Sequence, residues 1–271
     1  MKKRKQRILV ISDTHCGHLT GLTPPAFQLN EFDKSRTKRN KWATMQKESW
    51  REFKKLLRRY EPFDLGFHLG DLIDGKGKRS GGVELITTSM DEQANMAASV
   101  CNTVRLHANK GFEWYGVSGT PYHTDADGDS WDDVAARRAG FAKFGSHEWI
   151  TVNGCTFDLK HKIGSSSVPY GKGTAIAKSR LHNLLWAEMQ PKADVVIRGH
   201  THSPFFCGEP GEWLGVICPA LQGWTKYGAT QCEGRVRWGI TIFDVNKDGS
   251  YDWHSDIITT NSQKAVAVIH A

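Results

Sequence analysis

Val195-Val196-Ile197-Arg198-Gly199-His200-Thr201-His202 is a short apolar segment followed by a glycine and two histidines. The three β-forming residues predict a buried strand, and Gly199 marks its end. Because one residue separates the histidines, both rings leave the same side of the chain if the backbone is extended. Imidazole is a common nitrogen ligand of transition metals. The stretch therefore predicts a strand of an α/β protein that delivers His200 and His202 as candidate metal ligands.

Four further predicted strands are followed by residues of the same chemical kinds. They cover residues 8–11, 64–69, 112–117 and 156–160, and they lead into Asp13 and His15, Asp71, His123 and His161, respectively. Taken alone, the His-x-His pair is equally compatible with a chance surface pattern. Five strand ends that all deliver aspartate or histidine indicate a metal centre instead, since α/β enzymes build their sites at the carboxyl ends of strands.

The candidate ligands are Asp13, His15, Asp71, His123, His161, His200 and His202. A set of imidazoles and carboxylates suits manganese, which we favour, or iron, zinc, nickel or cobalt, rather than calcium or magnesium. Seven ligands exceed what one open catalytic metal uses, so the sequence predicts two divalent metal ions that share Asp71. We expect His18 to be a loop residue outside this set.

The composition favours one large domain over residues 1–271. The chain has 36 Lys and Arg residues against 29 Asp and Glu residues, a formal net charge of +7 and a pI of about 9.1. This balance favours anionic partners without establishing one. The cysteines show no Cys-x-x-Cys spacing, and no apolar run reaches the ~18 residues of a membrane helix. We therefore expect a soluble cytoplasmic protein with no membrane partner; the sequence does not define its oligomeric state.

Apolar residues at helical spacing predict four long helices, over residues 36–60, 91–109, 131–144 and 174–189. The second is expected to pack partly through Leu106. The last is expected to bury Ile176, Leu181, Leu184, Leu185 and Trp186. The first helix is interpreted as a basic insertion, since ten Lys or Arg residues lie within or beside it. A solvated helix face explains this charge, and a ridge that binds nucleic acid is the alternative.

The combined pattern resembles the calcineurin-like metallophosphoesterase family over residues 8–202. The resemblance rests on Asp13-x-His15, Gly70-Asp71-x-x-Asp74, a Gly119-x-x-x-His123 loop, His161 and Gly199-His200-x-His202. It implies an α/β fold, a β-sandwich flanked by helices, with the site at the carboxyl edges of the strands. It also implies that Asp13, His15, Asp71 and His202 hold one metal, and that Asp71, His161 and His200 hold the second. The activity that it implies is phosphoester hydrolysis by a water that two metals activate.

One segment departs from the family pattern. Relatives usually carry Gly-Asn-His, in which the Asn is a ligand of the second metal and the His is the catalytic acid. This chain has Gly119-Thr120-Pro121-Tyr122-His123, which resembles the variant of phage-borne members. His123 is therefore either the proton donor or the ligand that replaces the Asn. Arg198 is expected either to clamp phosphate or to form a structural salt bridge.

Phosphodiester hydrolysis, by a nuclease or phosphodiesterase that acts on nucleic acid or nucleotides, is the leading functional prediction because the chain is basic. The enzymatic alternative is a phosphomonoesterase that acts on nucleotides or proteins. A nonhydrolytic binding protein with a decayed site is the third hypothesis. The presence of every Asp and His of the ligand set argues against such decay.

Overall fold

The computed structural model describes residues 4–32, 40–78, 81–126, 129–164, 166, 168, 171–231 and 236–263. Two β-sheets lie face to face between two layers of helices. The strands are β1 (Gln6–Ile11), β2 (Phe63–His68), β3 (Ala108–Val117), β4 (Asp125–Ala126), β5 (Asp129–Ser130), β6 (Phe141–Gly145), β7 (Glu148–Val152), β8 (Cys155–Lys160), β9 (Val195–Arg198), β10 (Phe205–Glu209), β11 (Trp213–Ile217), β12 (Trp238–Val245) and β13 (Tyr251–Ile258). The helices are α1 (Lys41–Tyr60), α2 (Met90–Arg105), α3 (Pro121–Thr124), α4 (Trp131–Arg138), α5 (Lys172–Leu185) and α6 (Lys226–Gln231).

The first sheet has the strand order β13-β12-β1-β2-β3-β6, and β1, β2, β3 and β6 run parallel. The second has the order β10-β11-β9-β8-β7, with a parallel centre of β11, β9 and β8. Parallel strands place their carboxyl ends at one edge of a sheet. The central strands of both sheets therefore deliver their following loops to a common edge.

Strand β1 shows why its sequence reads as continuously apolar. Ile8 and Val10 belong to the core between the sheets, while Leu9 and Ile11 belong to the core beneath the helices. Successive side chains of a strand point to opposite faces, so a strand that is buried on both faces carries no polar alternation. On the outer side of the second sheet, Ile176 of α5 packs in a smaller cluster with strands β9 and β11. The predicted α/β sandwich flanked by helices is confirmed.

Helix α1 forms where a cap and an apolar stripe coincide. The side chain of Asn40 accepts a hydrogen bond from the Trp42 backbone N–H at 3.1 Å, which satisfies one of the unpaired donors of the first turn. Trp50, Phe53 and Leu57 are buried against the first sheet. The helix ends at Tyr60, shortly before Pro62. The predicted start at residue 36 lies outside the described residues.

The predicted helix over 131–144 is wrong in its second half. Helix α4 ends at Arg138, and Gly140 follows with a φ of 66°, a conformation that favours glycine. The chain then forms β6, which pairs with β3 and stacks Phe141 on Trp114 with the ring centroids 5.5 Å apart. Burial of these aromatic rings outweighs the helical spacing of the segment. Leu106 lies beyond the end of α2 and is 83% exposed, so its predicted burial is also wrong.

The predicted buried face of the last long helix is right at Ile176 and wrong at its four other residues. Leu181, Leu184, Leu185 and Trp186 are all exposed. Helix α5 instead buries Arg180 and Asn183, whose side chains donate to the carbonyls of Ala193 and Pro191. These hydrogen bonds tie the helix to the segment that enters β9. Polar anchoring, which apolar spacing does not reveal, therefore decides which side of α5 faces inward.

None of the helices among the described residues is both long and apolar enough to cross a membrane.

Arg198 forms a buried salt bridge, so its structural interpretation is confirmed. Its Nη1 atom donates to Asp158 Oδ1 at 2.8 Å, and to the carbonyls of Asp158 and Ile197 at 2.9 and 2.8 Å. Only 3% of Arg198 is exposed. His147 also lies against Asp158, with Nε2 2.8 Å from Oδ1. The guanidinium is therefore held between β8 and β9 through its Nη1 atom.

Arg198→Met should lower the free energy of unfolding by about 3–5 kcal/mol, because Asp158 would remain buried without its partner. Denaturant unfolding measures this change. Asp158→Leu added to Arg198→Met should recover part of the loss. As a control, Arg137→Met on the exposed side of α4 should change the value by less than about 0.5 kcal/mol. An unchanged stability for Arg198→Met would contradict the structural role.

Candidate metal centre

The structure brings all seven predicted residues to one edge of the two sheets. They follow β1, β2, β3, β8 and β9. Their nitrogen and oxygen atoms form three groups in which every potential ligand atom lies within 4.8 Å of the others. These groups are Asp13 with His15 and His202, Asp71 with His161 and His200, and His15 with Asp74 and His123.

The second group contains the same residues as the second set that the family resemblance implied, and the first group contains those of the first set except Asp71. His202 Nε2 lies 3.1 Å from Asp13 Oδ1, and His161 Nε2 lies 3.1 Å from Asp71 Oδ2. The same Oδ2 atom of Asp71 is 3.6 Å from His15 Nε2. One carboxylate oxygen of Asp71 therefore lies near both His15 of the first group and His161 of the second.

We had considered an extended backbone for the candidate ligands, but the structure does not show one. Asp13, His15, Asp71, His200 and His202 all have φ values between 41° and 75°, in the left-handed region. Non-glycine residues rarely adopt this conformation, and its occurrence is concentrated at functional sites. The ligands therefore project from tight turns just after the strands, and the predicted i, i+2 geometry is wrong although the predicted residues do converge.

The residues present fit a metal ion. His15 Nε2 is buried and has no hydrogen-bond partner among the described residues, although a buried polar atom normally has one. His15 Nδ1 lies 3.0 Å from the Asp74 carboxylate, and His161 Nδ1 lies 2.6 Å from the Leu69 carbonyl. A histidine whose Nδ1–H is held in this way presents an unprotonated Nε2 to a metal. The mixed nitrogen and oxygen set suits a divalent transition metal.

The charges of the site also call for cations. Burial by itself would raise the pKa of Asp74, but His18, His15 and His123 outweigh it and lower the pKa to about 2. Burial would lower the pKa of His161, but the Asp71 carboxylate raises it to about 10. The Asp74 carboxylate thus stays ionised, and Asp71 draws a proton onto His161, whereas burial lowers the pKa of His15 and His200. A divalent cation supplies the same positive charge.

Thr120 occupies the position where relatives carry the ligand Asn. Its backbone N–H donates to Asp71 Oδ1 at 2.6 Å, and its Oγ1 atom lies 3.2 Å from both His161 Nε2 and His200 Nδ1. Sequence reasoning did not select Thr120, although its place directly after Gly119 was a usable signal. The hydroxyl oxygen adds an oxygen atom to the second group.

His123 lies on the other side of the site, beside the first group. Its Nδ1 atom lies 2.8 Å from the Asp74 backbone carbonyl and 3.9 Å from Asp74 Oδ1. Its ring centroid is 4.8 Å from that of His15. The structure thus groups His123 with Asp74 and His15, not with His161 and His200. Asp74 itself was missed as a functional residue, although it closes the Gly-Asp-x-x-Asp motif.

Asp132 of α4 ties together the two loops that carry these residues. It is fully buried, with Oδ1 accepting from the backbone N–H groups of Leu72 and Ile73 at 3.0 and 3.3 Å, and Oδ2 from that of Gly119 at 2.9 Å. The loops touch so closely that a Cβ on Gly119 would lie 1.9 Å from Asp71 Oδ1. No sequence motif marks Asp132, because it lies inside a helix.

The metal groups open into a cavity of about 710 Å³. His15, Asp71, His123, His200 and His202 line it, together with His18, which we had placed outside the site. His18 is buried, with Nε2 3.8 Å from Glu84 Oε2. The cavity is much larger than one phosphoryl group, so the site accommodates a sizeable substrate.

Two sheets packed between helices, with aspartates and histidines at their carboxyl edge, define a metallophosphoesterase fold. Residues 6–204 match the family described as calcineurin-like phosphoesterase, and the chain belongs to that family. Similar solved structures include wild-type Vps29 complexed with Zn²⁺ from Entamoeba histolytica, at 16% identity, a TM-score of 0.43 and coverage of 93% of this chain and 98% of that chain. A dimetal phosphatase from Danio rerio has 10% identity, a TM-score of 0.45 and coverage of 93% and 96%.

The phosphoesterase YfcE from E. coli has 14% identity, a TM-score of 0.40 and coverage of 95% of this chain and 100% of that chain. No curated protein is similar enough to count as a match.

Asp71→Asn should lower the metal content at both positions, because the shared oxygen would lose its negative charge. Metal analysis of the purified protein, after equilibration with manganese, measures this stoichiometry. Asp133→Asn serves as the control, because Asp133 lies next to Asp132 on α4 and belongs to neither metal group. This variant should keep the wild-type metal content. Loss of one metal equivalent with full retention of the other would show that Asp71 serves a single position.

Proposed function

We propose that the protein hydrolyses phosphodiesters with two divalent metal ions, manganese favoured. The observation that supports this most directly is the position of Asp71 Oδ2 between His161 Nε2, at 3.1 Å, and His15 Nε2, at 3.6 Å. Asp13, His15, Asp71 and His202 would hold one ion. Asp71, His161 and His200 would hold the other, with Thr120 Oγ1 beside them. Two such cations lower the pKa of a water and offset charge on the phosphoryl oxygens.

His123 is proposed as the proton donor to the leaving group. Its Nδ1 atom is held by the Asp74 carbonyl, so Nε2 is the nitrogen left to face a substrate. The His123 side chain is 25% exposed and lines the cavity, while that of His15 is 3% exposed. A donor needs this access to the reacting atoms, whereas a ligand does not. Its grouping with Asp74 rather than with His161 and His200 favours the acid over the replacement ligand.

The basic residues of α1 give only limited support to a preference for nucleic acid. Lys47, Lys55 and Arg59 form ion pairs with Glu31, Glu52 and Asp256 at 2.9, 2.8 and 2.6 Å. The carbonyl of Tyr60, at the end of α1, accepts from Arg7 near the start of β1. Three of the ten basic residues that we assigned to a binding ridge are therefore paired, and the carboxyl end of α1 lies at the amino end of the strands, away from the metal centre.

The central test compares a bis-aryl phosphate with a mono-aryl phosphate before and after chelation. We expect turnover to require a divalent metal, to return with manganese better than with calcium, and to favour the bis-aryl substrate. Faster turnover of the mono-aryl phosphate would support the phosphomonoesterase instead. Full activity of the metal-stripped protein would exclude metal-assisted hydrolysis, and no turnover of either substrate with two metals bound would favour the nonhydrolytic hypothesis.

His123→Ala should leave both metals bound and reduce kcat by about 10²–10⁴-fold on diesters with poor leaving groups. The loss should shrink with nitrophenolate, which leaves without a proton. Rates on a series of aryl and alkyl diesters, together with metal content, measure both effects. His182→Ala, an exposed histidine on α5, is the matched control. An equal loss on all substrates with one metal missing would identify His123 as a ligand.

A further inference from the structure

We propose that Lys162 and Lys172 bind a second phosphate group beside the one that is cleaved, and that the substrate is therefore a single nucleic acid strand. The inference rests on the proposed diester hydrolysis and specifies its substrate. It concerns the wall of the cavity rather than the metal ligands themselves.

Each lysine is linked to a candidate ligand, one by its place in the sequence and the other by a hydrogen bond. Lys162 directly follows the ligand His161. The Nζ atom of Lys172 donates to Ser203 Oγ at 2.6 Å, and Ser203 directly follows the ligand His202. Both lysines line the cavity. His161 and His202 belong to different metal groups, so the two lysines are tied to different groups of the same cavity.

The charge of these lysines exceeds what one diester requires. A phosphodiester carries a single negative charge, and two divalent cations beside the three buried carboxylates Asp13, Asp71 and Asp74 already meet it. Two further ammonium groups in the same cavity therefore favour a substrate with additional anionic groups. A lysine is a mobile point charge on a long stem, which suits contact with a flexible phosphate backbone.

The remaining wall of the cavity suits the base of a nucleotide. Trp224, Tyr227 and Tyr122 line it. The Trp224 segment is held by backbone hydrogen bonds, from Gly223 N–H to the Thr20 carbonyl at 2.9 Å and from Trp224 N–H to the Ser262 carbonyl at 2.7 Å. Aromatic side chains that alternate with cationic groups are the usual means of binding single strands, because every base has a stacking face. A cavity of about 710 Å³ holds a few nucleotides and not a duplex.

The test uses two tetrathymidylates that differ only in the charge of the linkages beside the central one. In the first, these linkages are phosphates; in the second, they are neutral methylphosphonates. Cleavage at the central linkage is scored for both, with bis(4-nitrophenyl) phosphate as a third substrate. For the wild-type protein we expect kcat/KM to be about tenfold higher with the flanking phosphates, the size of one charge-assisted contact.

Lys162→Ala with Lys172→Ala should bring the ratio of the two kcat/KM values close to one. Lys160→Ala, an exposed lysine at the end of β8, is the matched control and should keep the wild-type ratio. In anisotropy titrations of metal-free protein with oligothymidylate, removal of each lysine should reduce the slope of log K against log salt by about 0.7.

The outcomes separate the two proposals. Failure to cleave bis(4-nitrophenyl) phosphate would overturn the proposed function itself. If the wild-type protein cleaves that diester but has equal kcat/KM values for the two tetrathymidylates, the second phosphate site alone is overturned. An equal loss of kcat/KM on all three substrates in the lysine variants would place the lysines on the cleaved phosphate. That result would also overturn the second phosphate site.

Discussion

Four carboxylates, those of Asp13, Asp71, Asp74 and Asp132, are buried at one edge of the sheets, none more than 6% exposed. An ionised carboxylate in a protein interior is costly unless opposite charge or hydrogen-bond donors accompany it. Imidazoles surround the first three. The fourth accepts from three backbone N–H groups, but burial and the nearby Asp71 carboxylate still raise the pKa of Asp132 to about 8. The left-handed turns that carry ligands, and the glycine at the closest loop contact, bring these partners within reach.

The chemical identity of the ligands and the strands before them could be predicted from the sequence, because each is encoded within a few residues. An apolar run followed by Asp-x-His or His-x-His carries its own signal, and the structure places all seven predicted residues together. The way in which they converge could not be predicted in the same manner. Asp13, His15 and His200 project from turns with positive φ, and only the packed loops around them enforce that backbone.

The features that the sequence did not reveal depend on contacts between distant segments. Asp132 acts on Leu72 and Gly119 across intervals of 60 and 13 residues, so no local pattern marks it. The exposed apolar group of Leu181, Leu184, Leu185 and Trp186 illustrates the reverse case. Its apolar spacing predicts burial, but Asn183 on the other side of α5 makes the hydrogen bonds that orient the helix.

The Asp132 side chain holds the loop after β2 and the loop after β3 together, because it accepts hydrogen bonds from both. Thr120 is held by Asp71 at one end of the intervening stretch, and Asp132 is held by both loops at the other. The loop of Asp71, the loop of Thr120 and the start of α4 are therefore joined through one side chain. A displacement of α4 would therefore shift both loops together, and with them the positions of Asp71 and Thr120.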